Sequence, residues 1–266
     1  MNVASLKLIY FSPTQTTKKT MEGIAEGIGI GAVETIDLTP PDAETRDFDD
    51  LKGGMAIIGV PVYAGRVPQV AAARLRRLKA ENTPAVIVVV YGNRAFEDAL
   101  LELRDVAVEV GFLPIAGGAF IGEHSYSTET TQVAMGRPDV KDLDGAREFG
   151  AKIEEKLLEL QSLEDFPILK VPGNYPYKEV EKKPLTPPIS RETDCTNCGD
   201  CAEVCPTAAI TVDDSVVTEA ESCIFCCACV KVCPNEARVM EGDFINKVRE
   251  WLSTSFSERK EPRIFM

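Results

Sequence analysis

The chain has 266 residues, a length that suits one or two domains. Its 44% hydrophobic and 27% charged residues exclude wholesale disorder, and the longest apolar run, Ala85–Tyr91, is far shorter than the ~20 residues that cross a bilayer. A formal net charge of −13 makes nucleic acid a poor partner, because phosphate binding needs clustered Lys and Arg. The N-terminus has no basic start followed by a long apolar core, which predicts a cytoplasmic protein.

Strand-like and helical segments alternate over the first 160 residues. The helix-like stretches lie around Met21–Ile28, Gln69–Lys79, Phe96–Val110 and Leu143–Leu160. This alternation predicts an α/β fold with a doubly wound, five-stranded parallel sheet, in which ligands bind outside the carboxyl ends of the strands. The predicted strands are Leu6–Phe11, Val33–Leu38, Met55–Val60, Ala85–Tyr91 and Phe112–Ile121.

Hydroxyl groups crowd the loop after the first strand, just before a predicted helix. Free N–H groups at a helix N-terminus bind phosphate, whereas plain N-capping needs only one hydroxyl. Lys18 and Lys19 follow in the first turn, where the helix dipole disfavours cations and a bound dianion would relieve the conflict. The absence of a G-x4-G-K-[ST] pattern argues against a triphosphate loop. The residues predicted to hold the anion are Ser12, Thr14, Gln15, Thr16 and Thr17.

Aromatic and small residues stand side by side in the loops after the third and fourth strands, where they could lie against a flat ring system. The alternative is turn chemistry with an aromatic side chain packed into the core. A long polar loop follows the fifth strand and contains the only histidine, His124, a residue that is more often structural than catalytic. The predicted cofactor-lining residues of these loops are Pro61, Val62, Tyr63, Ala64, Gly65, Tyr91, Gly92, Asn93, Arg94, Phe96, Ser125, Tyr126 and Ser127.

The hydroxyl-rich loop resembles the phosphate loop of flavodoxins, [ST]-x-T-G-x-T, with Ser12, Thr14 and Thr17 at its hydroxyl positions. The resemblance extends over about residues 4–160 and implies FMN as the cofactor, with the loops after the third and fourth strands beside the flavin ring. Gln15 stands where the family usually has glycine. If that position requires a positive φ, glutamine costs on the order of 1 kcal/mol there.

All nine cysteines lie between Cys195 and Cys233, in two runs of the form C-x2-C-x2-C-x3-C-P. Each ligand position of the second run follows its counterpart by 28 residues, which indicates a duplicated unit. A [4Fe–4S] cluster needs four thiolates, and in this spacing the fourth cysteine reaches the other cluster. Zinc is the alternative, since it also accepts four thiolates. The predicted ligands are Cys195, Cys198, Cys201 and Cys233 for the first cluster, and Cys223, Cys226, Cys229 and Cys205 for the second.

Residues 191–241 resemble the two-cluster bacterial ferredoxins, which implies a small α+β domain that its clusters hold together. Cys227 is left over and is predicted to be a small buried apolar residue. The predicted organisation is a flavodoxin-like FMN domain (1–162), a proline-rich linker (163–190), the ferredoxin domain (191–241) and a C-terminal helix and tail (242–266) that docks on a domain surface.

The fusion as a whole resembles flavodoxin-like iron–sulfur flavoproteins of anaerobes. That resemblance implies electron transfer between FMN and two [4Fe–4S] clusters, with unidentified redox partner proteins and a possible homodimer. Two alternatives remain open: a flavin-dependent oxidoreductase that reduces a small substrate such as a quinone, and an FMN-free iron–sulfur redox sensor. No catalytic base, nucleophile dyad or G-x-G-x-x-G motif is evident, so no catalytic residue is predicted.

Overall fold

The apolar runs of the first half form the strands of one sheet. The structure, a computed structural model, describes residues 3–48, 51, 53–159, 167–180 and 186–266. Five parallel strands stand in the order β2-β1-β3-β4-β5, which is the order of flavodoxin-like doubly wound folds. Their bounds are β1 Leu6–Tyr10, β2 Val33–Asp37, β3 Met55–Pro61, β4 Thr83–Tyr91 and β5 Phe112–Ile121.

Helices cover both faces of this sheet, as the alternating pattern predicts. They are α1 Thr16–Ile28, α2 Gln69–Leu75, α3 Ala99–Glu109 and α4 Val140–Glu159, with a 3-10 turn at Pro41–Glu44. On one face Ile24 and Phe149 pack on β1 and β4, and on the other face Leu75 and Leu100 pack on β3 and β4. Within the described residues, no helix is long and apolar enough to span a membrane.

The C-terminal tail adds a sixth strand that the sequence does not predict. Residues Arg263–Phe265 form a strand that pairs antiparallel with Gly117–Ala119 of β5. It is named β10, because four short strands of the cysteine-bearing segment precede it in the chain. Without this strand β5 would be the edge of the sheet, with unpaired N–H and C=O groups. The predicted all-parallel sheet therefore needs one correction, which is an antiparallel strand at its β5 edge.

The cysteine-bearing segment folds as two similar halves. Two short antiparallel pairs frame it, β6 Ile189–Ser190 with β9 Arg238–Val239, and β7 Ile210–Val212 with β8 Val216–Thr218. Each half contains one short helix, α5 Asp200–Glu203 or α6 Ala228–Val232. The longer helix α7 Asp243–Ser255 then leads into the tail.

Part of the predicted linker lies along α3 and the residues before it. The Oδ1 of Asp98 accepts a hydrogen bond from the backbone N–H of Asn174 (2.8 Å), and its Oδ2 accepts one from the N–H of Lys178 (2.7 Å). The Tyr177 hydroxyl donates to Asp105 at 2.6 Å. These contacts hold residues 174–178 against the sheet domain. The predicted domain boundary at 162 and the linker positions 163–166 and 181–185 lie outside the described residues.

Helices α1 and α4 approach each other closely at two glycines. A Cβ at Gly150 would stand 2.2 Å from the carbonyl oxygen of Ile24, and one at Gly27 would stand 2.0 Å from that of Arg147. Both obstacles are backbone atoms, which cannot move without displacing a helix. The glycines therefore set the distance between these helices.

We expect Gly150→Ala to lower the free energy of unfolding by about 1–3 kcal/mol, because the added methyl overpacks the helix contact. The matched control is Gly145→Ala on the same helix, where a Cβ meets nothing within 4 Å. That change should raise stability by about 0.5–1 kcal/mol through helix propensity. Urea unfolding followed by circular dichroism measures both, and equal effects at the two sites would contradict the packing argument.

Candidate functional site

Four cysteines from the two runs line one small cavity in the cysteine-bearing segment. Three of them belong to the first run and the fourth is the last cysteine of the second run. The Cys198 side chain is exposed and those of Cys195 and Cys233 are half-buried. The cavity thus lies close to the surface. The four cysteines are Cys195, Cys198, Cys201 and Cys233.

A second small cavity repeats this arrangement with the two cysteine runs exchanged. Here the three predicted ligands of the second cysteine triplet meet the last cysteine of the first run, so the structure brings together the two sets of cysteines that crossed ligation predicts. Three of these four are buried and the other is half-buried. These four predicted ligands are Cys205, Cys223, Cys226 and Cys229, and the remaining cysteine, Cys227, lines the cavity as well.

The duplication extends to the backbone of the two cysteine loops. Left-handed φ angles occur at Asn197 (52°) and Gly199 (91°), and again 28 residues later at Phe225 (55°) and Cys227 (59°). Cys227 thus occupies the position where the first half has glycine. Its side chain is 2% exposed and its sulfur lies 3.6 Å from the sulfur of Met240. This is the environment of a packed apolar residue, as the sequence predicts.

The thiols are suited to metal binding more than to acid–base work. Burial raises the pKa of Cys226 to about 12, so an isolated thiol there stays protonated at neutral pH. A bound metal ion releases such protons, which couples loading of the site to deprotonation. Backbone geometry assists, because the N–H of Ala209 points at the Cys205 sulfur at 3.2 Å. Among the described residues, no group of three or more His, Cys, Asp or Glu side chains is arranged to hold a single metal ion. The donor chemistry of the cysteines, four thiols at each cavity, is what fits an iron–sulfur cluster.

The loop after β1 has the geometry of an anion site. Gln15 adopts a left-handed φ of 63°, the strained conformation that glycine would accept freely. The Ser12 hydroxyl accepts a hydrogen bond from the Lys18 N–H at 3.1 Å, while Thr14 and Thr16 are half-buried. The hydroxyl of Thr17 is buried and has no hydrogen-bond partner among the described residues. An unsatisfied hydroxyl at the start of a helix fits a phosphate acceptor.

The loop after β3 faces the second cysteine loop. A tight turn runs from Tyr63 to Arg66, and Ala64 and Gly65 within it have φ values of 53° and 85°. Burial raises the pKa of the Tyr63 phenol well above 10, and Cys226 and Cys227 contribute to the rise. Of the other predicted residues, Pro61 ends β3 and Val62 donates its N–H to the Val90 carbonyl of β4.

The loop after β4 is tied to the C-terminal tail. The amide Nδ2 of Asn93 donates to the carbonyl oxygens of Phe256 (2.6 Å) and Glu258 (2.8 Å), and the carbonyl of Arg94 accepts from Lys260 (2.6 Å). The Asn93 donor group is thus taken by the tail, and only its buried oxygen lacks a partner in the described chain.

The two aromatic residues of this loop are used for packing. The rings of Tyr91 and Phe96 are each 6% exposed and their centroids lie 5.5 Å apart. Gly92, between them in sequence, abuts the His124 ring: a Cβ there would stand 2.4 Å from it. For Tyr91 and Phe96 the structure favours the core role that the sequence leaves open.

The loop after β5 reaches towards the cysteine-bearing domain. Burial lowers the pKa of His124 to about 4, aided by the charges of Arg94 and Lys231, so its ring is neutral at pH 7. Its Nδ1 accepts the N–H of Tyr126 at 3.0 Å, a structural use of the only histidine. Tyr126 packs against Cys227 and Met240.

Ser127 is buried, and its hydroxyl accepts the N–H of Val133 at 3.1 Å. Ser125 lies half-buried between His124 and Tyr126.

The sequence patterns do not indicate two buried arginines of this region. Arg74 is 1% exposed, donates to the carbonyls of Leu38 and Thr39, and reaches the carbonyl of Pro206 at 2.7 Å, beside Cys205. Arg238 is 2% exposed, lines the first cysteine cavity and lies 3.9 Å from the sulfur of Cys229 in the second. Each is a single basic residue in a helix or strand. Each donates to backbone carbonyls, which every residue has, so no sequence pattern identifies these partners.

Residues 187–234 match the family model described as "4Fe-4S dicluster domain". A comparison with curated proteins gives no match.

Solved structures similar to this chain include a flavodoxin from the domain Archaea, at 15% identity over 58% of this chain and 99% of that one (TM-score 0.37). Flavodoxin 2 from Bacillus cereus is 15% identical over 57% and 99% (TM-score 0.40). The Flv1 flavodiiron core from Synechocystis is 20% identical over 59% of this chain (TM-score 0.42), and the match spans 36% of that chain.

The chain therefore joins a flavodoxin-like α/β fold, defined by its strand order, to a segment of the 4Fe-4S dicluster type. A protein of this class has a redox function.

Crossed ligation predicts that Cys205→Ala impairs the cluster of the second cysteine triplet. After reduction, the electron paramagnetic resonance spectrum of the Cys205→Ala variant should match that of Cys226→Ala, because both changes remove a ligand from the same second cavity. Cys233→Ala is the mirror control and should match Cys198→Ala. If Cys205→Ala matched Cys198→Ala instead, the crossed assignment would be wrong.

Thr14→Ala and Thr17→Ala should each weaken FMN binding by about 1–2 kcal/mol, because each removes a hydrogen bond to a charged group. The control is Thr20→Ala, one turn further along α1, whose hydroxyl donates to the Thr16 carbonyl at 3.0 Å. Fluorescence titration of the apoprotein measures the affinity. Unchanged binding in the Thr14/Thr17 double variant would remove this loop from the cofactor site.

Proposed function

We propose that the chain transfers electrons within one molecule between a bound FMN and two [4Fe–4S] clusters, as a carrier in anaerobic redox metabolism. The observation that carries the proposal is the contact between the second cysteine loop and the strand-end loops of the α/β domain. Phe225 and Cys227 of that loop pack with Tyr126, which follows β5. Parallel sheets bind cofactors at this edge.

Three basic side chains hold the α/β domain against the cysteine-bearing segment and the helix α7 that follows it. Arg74 donates to the Pro206 carbonyl, as described above. From the other side, Lys231 of α6 donates to the Ser127 carbonyl at 3.0 Å, and Arg249 of α7 donates to the Tyr126 carbonyl at 3.0 Å. Two of these residues contact the loop after β5. The second cavity is therefore held beside the carboxyl edge of the sheet.

The first cavity supports a different role, exchange with an outside protein. Its cysteines include the exposed Cys198, whereas Cys226 and Cys229 of the second cavity are buried. Residues 191–241 carry 10 acidic and 3 basic side chains. A redox partner with a basic surface would be attracted to this end of the molecule. The proposed order is flavin, second cluster, first cluster, partner.

When bound, a flavin exchanges one or two electrons and each cluster exchanges one, so the combination can link two-electron and one-electron chemistry. The contribution of the chain is to hold and orient these groups. The Ser12–Thr17 loop, with the buried Thr17 hydroxyl, would bind the FMN phosphate. The eight predicted ligand cysteines would bind the clusters. Tyr63 and Tyr126, both half-buried, stand between the strand-end loops and the second cysteine loop.

Anaerobic purification with iron, sulfide and flavin quantitation tests the cofactor set. The proposal requires two four-iron clusters and one FMN per chain. Flavin released on denaturation separates it from the FMN-free sensor, and a chain without flavin would overturn it.

Transfer within one molecule predicts a rate that does not depend on protein concentration. The flavin is reduced rapidly by a light flash, and cluster reduction is followed optically at several concentrations. Lys231→Met should slow the step by loosening the domain contact, whereas Lys247→Met, an exposed position on α7, should leave it unchanged. A rate proportional to concentration would show transfer between molecules instead.

A further inference from the structure

A buried arginine lies between the two cysteine cavities. Arg238 of β9 lines the first cavity together with Cys201 and Cys233. Its guanidinium Nη2 also stands 3.9 Å from the sulfur of Cys229, which lines the second cavity. The side chain is only 2% exposed. One positive charge therefore contacts both sites.

The hydrogen-bond partners of Arg238 are neutral. Its Nη1 donates to the Ser190 hydroxyl at 3.0 Å, and its Nη2 donates to the Pro188 carbonyl at 2.9 Å and the Thr218 hydroxyl at 2.7 Å. Its Nε is buried and has no hydrogen-bond partner in the described part of the chain. The other two arginines this deeply buried do have carboxylate partners: Arg74 pairs with Glu44, and Arg137 with Asp142.

A buried cation without a counter-charge is unfavourable, because the lost hydration is not replaced by an ion pair. Thiolate-bound iron–sulfur clusters are anionic, and hydrogen bonds to their sulfurs and the charge around them set their reduction potentials. The position of Arg238 places its charge where two such anions would meet. The clusters themselves would provide the negative charge, which explains why Arg238 has no carboxylate partner among the described residues.

We propose that Arg238 is the shared counter-charge of both clusters and raises the reduction potential of each, an inference that rests on the two-cluster site of the proposed function. The sign follows from charge. Adding one electron makes a cluster more negative, so a fixed cation favours the reduced form. The acidic surface residues of the domain act in the opposite direction, but they are exposed and screened by water and salt. Arg238 is shielded from both.

The experiment compares three variants of the full chain by potentiometric titration, with the reduced clusters detected by electron paramagnetic resonance. Arg238→Met removes the charge and keeps an unbranched side chain, while Arg238→Lys keeps the charge but loses the planar fork. The matched control, Arg191→Met, removes an exposed arginine of the same domain that pairs with Glu241 at 2.5 Å.

In Arg238→Met, the ratio of reduced to oxidised form at a fixed potential should fall at least tenfold for both clusters, which is 59 mV for a one-electron couple. Arg238→Lys should retain most of the wild-type potential, and Arg191→Met should change the ratio less than twofold. A loss of loading in Arg238→Met that Arg238→Lys restores also supports the proposal, because only the charge is common to lysine and arginine.

Wild-type potentials in Arg238→Met would overturn the proposal, as would a shift of one cluster alone or equal shifts in the methionine and lysine variants. Failure of both variants to load would assign Arg238 to hydrogen bonding and overturn it equally. Failure of the proposed function is seen separately, since the wild-type chain would then lack two four-iron clusters before any variant is examined.

Discussion

With the clusters proposed above, this structure depends on placing their negative charge inside a very small domain. The residues around the cysteine cavities supply little apolar material: the buried cluster there consists of three cysteines, Ala209 and Ile210. A core of that size stabilises a domain weakly, so metal–thiolate bonds must supply much of the folding free energy. Anionic clusters in turn need positive charge or N–H groups directed at them. Arg238 and the N–H of Ala209 are placed where such groups are needed.

A second regularity concerns how the segments of the chain are joined. At many junctions a basic side chain of one segment donates to a backbone carbonyl of another. Arg74 reaches Pro206, Lys231 reaches Ser127, Arg249 reaches Tyr126, and Lys260 reaches Arg94. Every residue has a backbone carbonyl that can accept such a bond. Only the basic residue must therefore be of a particular type, and the residue that accepts from it can be any. In an acidic chain with 29 basic residues, many of the cations are used internally in this way.

This also explains which features the sequence predicts and which it does not. Apolar runs such as Met55–Pro61 and the cysteine spacing are local patterns, and both indicate their structures directly. The pairing of Arg263–Phe265 with β5 and the use of Asn93 by the tail depend on contacts between positions more than 140 residues apart in sequence. Tyr91 and Phe96 show a further limit, because an aromatic residue at a strand end has the same composition whether it packs in the core or faces a ligand.

The strand Arg263–Phe265 has a consequence for the cysteine-bearing segment as a chain. That segment enters from the α/β domain and its far end returns to the same sheet, so it is an insertion closed at both ends. If the cysteines hold iron as proposed, its loss would release a loop whose ends stay fixed, so the entropy of bringing those ends together would not be lost again on refolding. An apoprotein of this design starts reloading from a restricted ensemble in which the two cysteine runs remain near each other. A ferredoxin domain tethered at one end would have no such advantage.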